Sequence, residues 1–160
     1  MQLWHQLVVP DFCERMIGFS IPNERELLLV TYDGLKIMHL TKPISIRDVR
    51  EPHPYYEHCE PHFVYNHQTK CVEAEGKIWQ MLGLHPGEPL MTRPNGDQLQ
   101  LNERDLTISV TRGGKPIWLS SYENFSGDWV AATFSPDDWY IILGCPYDFD
   151  FRVWERHPSA

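Results

Sequence analysis

The sequence has no apolar run of about 18 residues, the minimum for a membrane-spanning helix. It is also poor in positive charge, because 14 lysines and arginines stand against 22 aspartates and glutamates and give a net charge of −8. A surface of this sign repels the phosphates of nucleic acids and of anionic lipids. The composition therefore argues against a nucleic-acid-binding protein and against a membrane protein.

Cysteines are few and widely spaced. The chain has 4 cysteines in 160 residues, without the dense spacing of a small secreted domain. Its first ten residues lack the basic segment and the unbroken apolar core of a signal peptide. We therefore expect a cytoplasmic protein with reduced thiols, and the length predicts a single domain over residues 1–160.

Motifs of the common enzyme classes are missing. The chain contains no Gly-x-Ser-x-Gly, no His-Glu-x-x-His, no glycine-rich phosphate loop and no paired Cys-x-x-Cys. Asp148-Phe149-Asp150 resembles the triplet that holds a divalent cation in sugar-nucleotide enzymes, but those enzymes have α/β folds. Here we expect Asp148 to accept hydrogen bonds from backbone amides of its own turn. The sequence thus predicts a non-enzymatic protein without a cofactor.

Short strand signals dominate what is present. Apolar and β-branched runs alternate with Gly, Pro, Asn and Asp turns, and no segment keeps a helical period over about 11 residues. We predict an all-β fold of antiparallel meanders. Strands are expected over 16–21, 26–32, 35–40, 63–66, 71–74, 77–82, 90–92, 98–101, 106–111 and 117–120, with more in the C-terminal segment.

Segment 128–155 is the most informative part of the chain. It consists of three short strand signals separated by two turns, the first at 134–138 and the second around Asp148. The Phe-Ser-Pro-Asp-Asp turn, the apolar strand ending in Gly144 and the strand at 152–155 resemble one blade of a WD-repeat β-propeller. A weaker version of the pattern covers 16–40, where Phe19 begins the first turn and Asp33-Gly34 forms the second.

This resemblance implies a propeller-like fold of about four blades. The separation of Phe19 from Phe134 corresponds to three units of about 38 residues, close to the length of a four-stranded blade. Degenerate units over 55–86 and 88–121 would lie between them, and segment 3–9 would add a strand to the last blade. Unlike typical repeats, this one has no upstream Gly-His pair and closes with Trp154-Glu155. An open β-roll or a β-sandwich would suit the same strand spacing.

Aromatic residues in loops are the best candidates for a binding surface. The blade resemblance places Trp139 just after the first turn of the last unit, and Tyr147 and Phe149 in its second turn on the opposite rim. Tyr55 and Tyr56 lie in a Pro-rich connection over 41–61, which is either partly ordered as an outer strand or a functional loop. Large aromatic side chains on loops are typical of interface hot spots. We expect these five residues to bind another protein that carries basic patches.

Two alternatives remain open. Cys59, His62, His67 and Cys71 have the spacing of a tetrahedral zinc site, which would suit a small metal-binding protein or enzyme using the cluster at 53–71. Against it, the second half of this segment is predicted to be a hairpin, whose alternating faces would separate the ligands. An incomplete ring could instead close by self-association, which would make the chain a self-assembling structural subunit.

Overall fold

The computed structural model describes residues 3–12, 15–49, 66 and 68–159, and in this part the protein is all-β. These residues form thirteen strands and one short 3-10 helix, without an α-helix. None of the described helical segments could cross a membrane. The strands are β1 (Trp4–Gln6), β2 (Met16–Ser20), β3 (Glu26–Thr31), β4 (Gly34–His39), β5 (Ser45–Asp48), β6 (Cys71–Ala74), β7 (Lys77–Gly83), β8 (Gln98–Asn102), β9 (Thr107–Arg112), β10 (Lys115–Ser121), β11 (Ala131–Phe134), β12 (Tyr140–Gly144) and β13 (Arg152–Arg156). The 3-10 helix spans Asp148–Asp150.

The strands form three antiparallel sheets, which confirms the predicted class and the antiparallel pairing. The first sheet has the order β5-β4-β3-β2-β7-β6, the second β10-β9-β8, and the third β1-β13-β12-β11. Within the described residues no sheet closes on itself. The described part of the predicted unit over 55–86 is not a separate sheet, because β7 pairs with β2 and places β6 and β7 in the first sheet.

The N-terminal segment supplies the fourth strand of the third sheet, at the place that the blade resemblance implies for segment 3–9. In β1, Trp4 pairs with Arg156 and Gln6 with Trp154 of β13. The Trp4 side chain is fully buried beside Phe134 and Trp118, with ring centroids 5.9 and 6.4 Å away. The first and last parts of the chain are therefore joined through both backbone and core.

Two strand predictions need correction. Segment 90–92 is not a strand, because Pro89 and Pro94 lack amide hydrogens and only Thr92 makes an isolated bridge. Leu90 instead exchanges hydrogen bonds with β11, through Thr133 and Phe134. The predicted strand over 63–66 lies outside the described residues, apart from Asn66. Conversely, β5 orders part of the Pro-rich connection as an outer strand, one of the two possibilities predicted for it.

The first and third sheets share one core. Phe19 of β2 packs edge-to-face against Phe151, with centroids 5.4 Å apart. A Cβ atom on Gly144 would approach the Phe19 ring to 2.5 Å, so this close contact requires glycine. Leu27 and Leu29 of β3 pack in the same cluster as side chains from β12 and β13. The two segments with the strongest repeat pattern are thus neighbours in the fold.

Candidate partner-binding surface

Three aromatic rings meet at the surface beyond the end of β12. We define Phe125, Tyr147 and Phe149 as the aromatic cluster. The rings of Tyr147 and Phe149 are stacked with centroids 5.3 Å apart and planes 8° apart. Phe125 is tilted against Phe149 at 5.6 Å. Phe125 is 68% exposed and Phe149 55%, whereas Tyr147 is partly buried. The cluster is therefore a contiguous aromatic surface that the protein leaves largely in water.

Asp150 brings the two halves of the aromatic cluster together. Its side chain is fully buried at the end of the 3-10 helix, and its Oδ2 accepts a hydrogen bond from the Phe125 amide at 3.1 Å. The guanidinium of Arg152 donates to the carbonyl oxygen of Phe149 at 2.6 Å. These two hydrogen bonds hold the backbone of Phe125 and of Phe149, so both exposed rings are attached to well-fixed backbone.

Asp148 anchors the same turn to the N-terminal segment. Its Oδ2 accepts a hydrogen bond from the amide of Phe12 at 2.8 Å. The donor is a backbone amide, but it belongs to a distant segment of the chain. Phe12 also packs edge-to-face on Phe151 at 5.6 Å. The triplet at 148–150 therefore holds two separate loops, one through each carboxylate.

The loop that carries Phe125 is a compact polar turn. Asn124 Oδ1 accepts hydrogen bonds from the Ser126 hydroxyl at 2.9 Å and from the Gly127 amide at 3.3 Å. Gly127 has a φ of 68°, a conformation that favours glycine. Sequence reasoning missed Phe125, although an aromatic residue within a polar turn was a usable signal. Its proximity to Phe149 depends on a contact between distant segments, which no local pattern reveals.

Carboxylates outnumber cations around the aromatic cluster. Glu123 is exposed in the Phe125 loop, and Asp128 in the same loop pairs with Arg15 at 2.6 Å while its side chain stays 49% exposed. Asp148 and Asp150 add two more carboxylates within the 3-10 helix. Arg152 is the cation directly bonded to this turn, and its donors are directed at carbonyl oxygens. The surroundings of the rings are thus acidic.

Cys145, beneath this surface, is not suited to nucleophilic chemistry. It is fully buried at the end of β12. Burial and the neighbouring Asp150 carboxylate raise the pKa of its thiol to about 12. A nucleophilic cysteine needs a lowered pKa and access to solvent. The residue therefore belongs to the core of the fold.

Trp139 lies away from the aromatic cluster, in the turn between β11 and β12. Its ring is partly buried and packs against the core that the first and third sheets share. The Arg156 guanidinium lies 4.2 Å from its ring centroid and covers it. Trp139 thus lies at the opposite end of β12 from Tyr147 and Phe149, and it is less exposed than Phe149.

The remaining predicted site residues fall largely outside the described part of the chain. Tyr55, Tyr56, Cys59, His62 and His67 all lie there. Cys71 is described, and its thiol is buried at the start of β6, where it donates to the Thr69 carbonyl at 3.2 Å. Among the described residues no three potential ligands form a metal-binding group.

A groove lies at the end of β12 that carries Trp139, between the first turns of the two repeat-like segments 16–40 and 128–155. Residues 21–25 from the β2–β3 connection and 135–137 from the β11–β12 turn line it, together with Ile78 and Gln80 of β7. Its volume is about 290 Å³. Arg25 bridges the two walls through a 3.4 Å contact with Asp137. The turns that the sequence pattern relates to each other are therefore adjacent in space.

Comparisons with protein-family models, with curated proteins and with solved structures give no match to this chain.

Proposed function

We propose that this protein is a non-enzymatic, cytoplasmic interaction module that binds another protein through the aromatic cluster. The observation that carries the proposal is the exposure of Phe125 and Phe149 on a base fixed by the buried Asp150. Contiguous exposed aromatic surface is unusual on a soluble monomer and marks interaction sites. Rigid aromatic anchors also lose little conformational entropy when a partner covers them.

For the scaffold we propose a propeller-like arrangement of about four units, similar to WD repeats. Three observations support it: the paired repeat turns, the core shared by the first and third sheets, and the N-terminal strand added beside β13. The alternative is an open roll or sandwich in which the six-stranded sheet is one continuous layer. The binding proposal requires only that the third sheet and its two loops be rigid.

The partner that we propose carries basic patches. The chain has a net charge of −8, and carboxylates surround the aromatic cluster. Complementary charge accelerates association and selects among partners. The same charge disfavours nucleic acid and anionic membranes as ligands.

Affinity capture from a cell extract tests the proposal. The bait pair is the wild-type chain and Phe125→Ala/Phe149→Ala, with Leu119→Ala as the control because Leu119 is an equally exposed apolar residue on a different sheet. We expect wild-type and Leu119→Ala baits to retain the same protein and the double variant to lose it. Thermal midpoints should agree among the three baits, since the removed side chains are exposed. Equal retention by the double variant would refute the proposal.

A further inference from the structure

Arginine side chains cover aromatic rings repeatedly in this protein. Arg156 lies over Trp139 at 4.2 Å, and Arg93 lies over Trp4 at 5.5 Å. Arg15 lies over Tyr32 at 5.9 Å, and Tyr32 is 45% exposed. A guanidinium is planar, weakly hydrated and always charged, so it stacks on a ring face more readily than an ammonium group. Arginines of the chain thus lie over the exposed ring of Tyr32, the partly buried ring of Trp139 and the buried ring of Trp4.

The aromatic cluster contains the other two exposed rings of the described residues, Phe125 and Phe149. No cation of the described part of the chain lies over the rings of Phe125, Tyr147 or Phe149. Arg152 is close, but its guanidinium bonds to the carbonyl oxygens of Phe149 and Phe151 and so is committed to the backbone. The outer ring faces stay in water while acidic residues surround them.

We propose that the aromatic cluster binds an arginine side chain of a partner protein, a deepening that rests on the proposed function. The guanidinium stacks on the exposed face of Phe149 or Phe125. The exposed Glu123 of the neighbouring loop supplies negative charge, and Asp128, which pairs with Arg15, contributes less. The acidic loop favours a cation over an apolar anchor, and the planar rings favour guanidinium over ammonium. A nucleobase would also stack on these rings, but its phosphates would be repelled.

Titration with short synthetic peptides tests this inference on the whole protein. The probe carries two arginines in a Gly/Ser background, and the matched peptide has citrulline, a neutral side chain of the same shape, in their place. Calorimetry gives the dissociation constants, and amide chemical shifts locate the contact. We expect the arginine peptide to bind about two- to fivefold more tightly than the citrulline peptide and to shift amides near residues 123–128 and 147–150.

Two protein variants measure separately how much the Phe149 ring and the loop carboxylates contribute to binding of the arginine peptide. Phe149→Leu keeps an apolar side chain but removes the ring, and should weaken arginine-peptide binding about two- to fivefold. Glu123→Gln/Asp128→Asn should weaken it and reduce its dependence on salt. Phe149→Leu should unfold at the wild-type temperature because Phe149 is exposed. The charge variant should unfold slightly below it, because Asp128→Asn breaks the exposed ion pair with Arg15.

Three outcomes would overturn the inference: no measurable binding of the arginine peptide, equal binding of the citrulline peptide, or no effect of Phe149→Leu. Its failure is distinguishable from failure of the proposed function. If a captured protein still depends on Phe125 and Phe149 but the arginine peptide does not bind, the surface is an interface for an apolar anchor and only the arginine inference is wrong.

Discussion

Asp97 is the clearest buried charge among the described residues. It is fully buried and accepts hydrogen bonds from Arg112 at 2.7 and 2.9 Å and from Arg93 at 3.0 Å. The bond from Arg112 holds the pKa of this carboxyl below its ordinary value. Arg93 is itself only 6% exposed, and its Nε has no hydrogen-bond partner among the described residues. The buried Arg93 and Asp97 therefore stabilise the fold only while both side chains are charged.

Asp97→Asn should lower the free energy of unfolding by about 3–5 kcal/mol at neutral pH, because it removes the buried carboxylate that Arg93 and Arg112 both bond. The buried Arg93 then keeps only the Asp138 carboxylate, 4.0 Å from its Nε. Urea denaturation measures the change. The control is Asp48→Asn, which breaks an ion pair of similar length, 2.7 Å, between Lys36 and an Asp48 side chain that is 74% exposed. That control should cost less than about 1 kcal/mol. Equal effects of the two substitutions would contradict the buried-pair interpretation.

The effect of Asp97 should also depend on pH. The folded-state pKa lies below the value of the unfolded chain, so the stabilisation is present above 3.8 and is lost as the pH falls through and below that value. The difference in unfolding free energy between wild type and Asp97→Asn should therefore narrow in acid. A constant difference down to the acid transition would show that the lost contact is not ionic.

Cys145 gives a second test at a single residue. Because its pKa is raised to about 12, the thiolate is scarce at pH 8.5 and iodoacetamide should label Cys145 only after unfolding. Mass spectrometry of peptides from native and denatured protein measures this, and the denatured sample is the control. Cys145 and Asp97 affect the pH dependence of stability in opposite directions. The contribution of the protonated Cys145 to the free energy of unfolding is fully present below pH 9.0 and declines as the pH rises towards 12. Rapid labelling of the native chain would contradict the burial.

Which individual side chains are exposed is the feature that the sequence predicts least well. Tyr147 and Phe149 follow from the blade pattern because both occupy a turn between strands. Trp139 satisfies the same criterion, yet Arg156 and the core cover most of its ring. Phe125 completes the cluster only because the buried Asp150 holds its amide. Exposure is set by tertiary contacts, which periodicity does not encode.

Among the elements, β1 joins the two ends of the described chain with only three residues. Trp4→Ala should lower the free energy of unfolding by about 3–5 kcal/mol, because a fully buried ring is lost from the core. His5→Ala is the control, since His5 is exposed on the same strand, and should change stability by less than about 0.5 kcal/mol. Denaturant titration measures both variants. A small effect of Trp4→Ala would mean that β1 does not stabilise the third sheet.

Most elements could be predicted from the sequence, because apolar runs of strand length alternate with turns that carry Asp, Asn and Gly. The hairpin of β3 and β4 at Asp33-Gly34 is an example. The failures concern long-range pairing. The junction of β2 with β7 merges two predicted units into one sheet, and nothing local to either strand specifies it. Segment 90–92 divides its hydrogen bonds between β11, through Leu90, and β8, through Met91 and Thr92, and no local pattern specifies this either.

At the scale of the whole molecule, the third sheet has two different ends. One end carries the exposed aromatic cluster in acidic surroundings, and the other carries the groove between the repeat turns, where Arg25 and Asp137 bridge the walls and Arg156 covers Trp139. The first end leaves aromatic rings in water, whereas at the second Arg156 covers the Trp139 ring and the groove leaves Ile78 58% exposed. This asymmetry is the reason for assigning binding to the end with Phe125, Tyr147 and Phe149.

The most direct test is the dissociation constant of the partner recovered by capture, measured for wild type, Phe149→Ala and Leu119→Ala. If the aromatic cluster is the binding surface, Phe149→Ala should weaken binding at least about tenfold, as expected for a hot-spot ring, with Leu119→Ala unchanged. If Phe149→Ala binds as tightly as wild type, the partner binds elsewhere and the assigned surface is wrong.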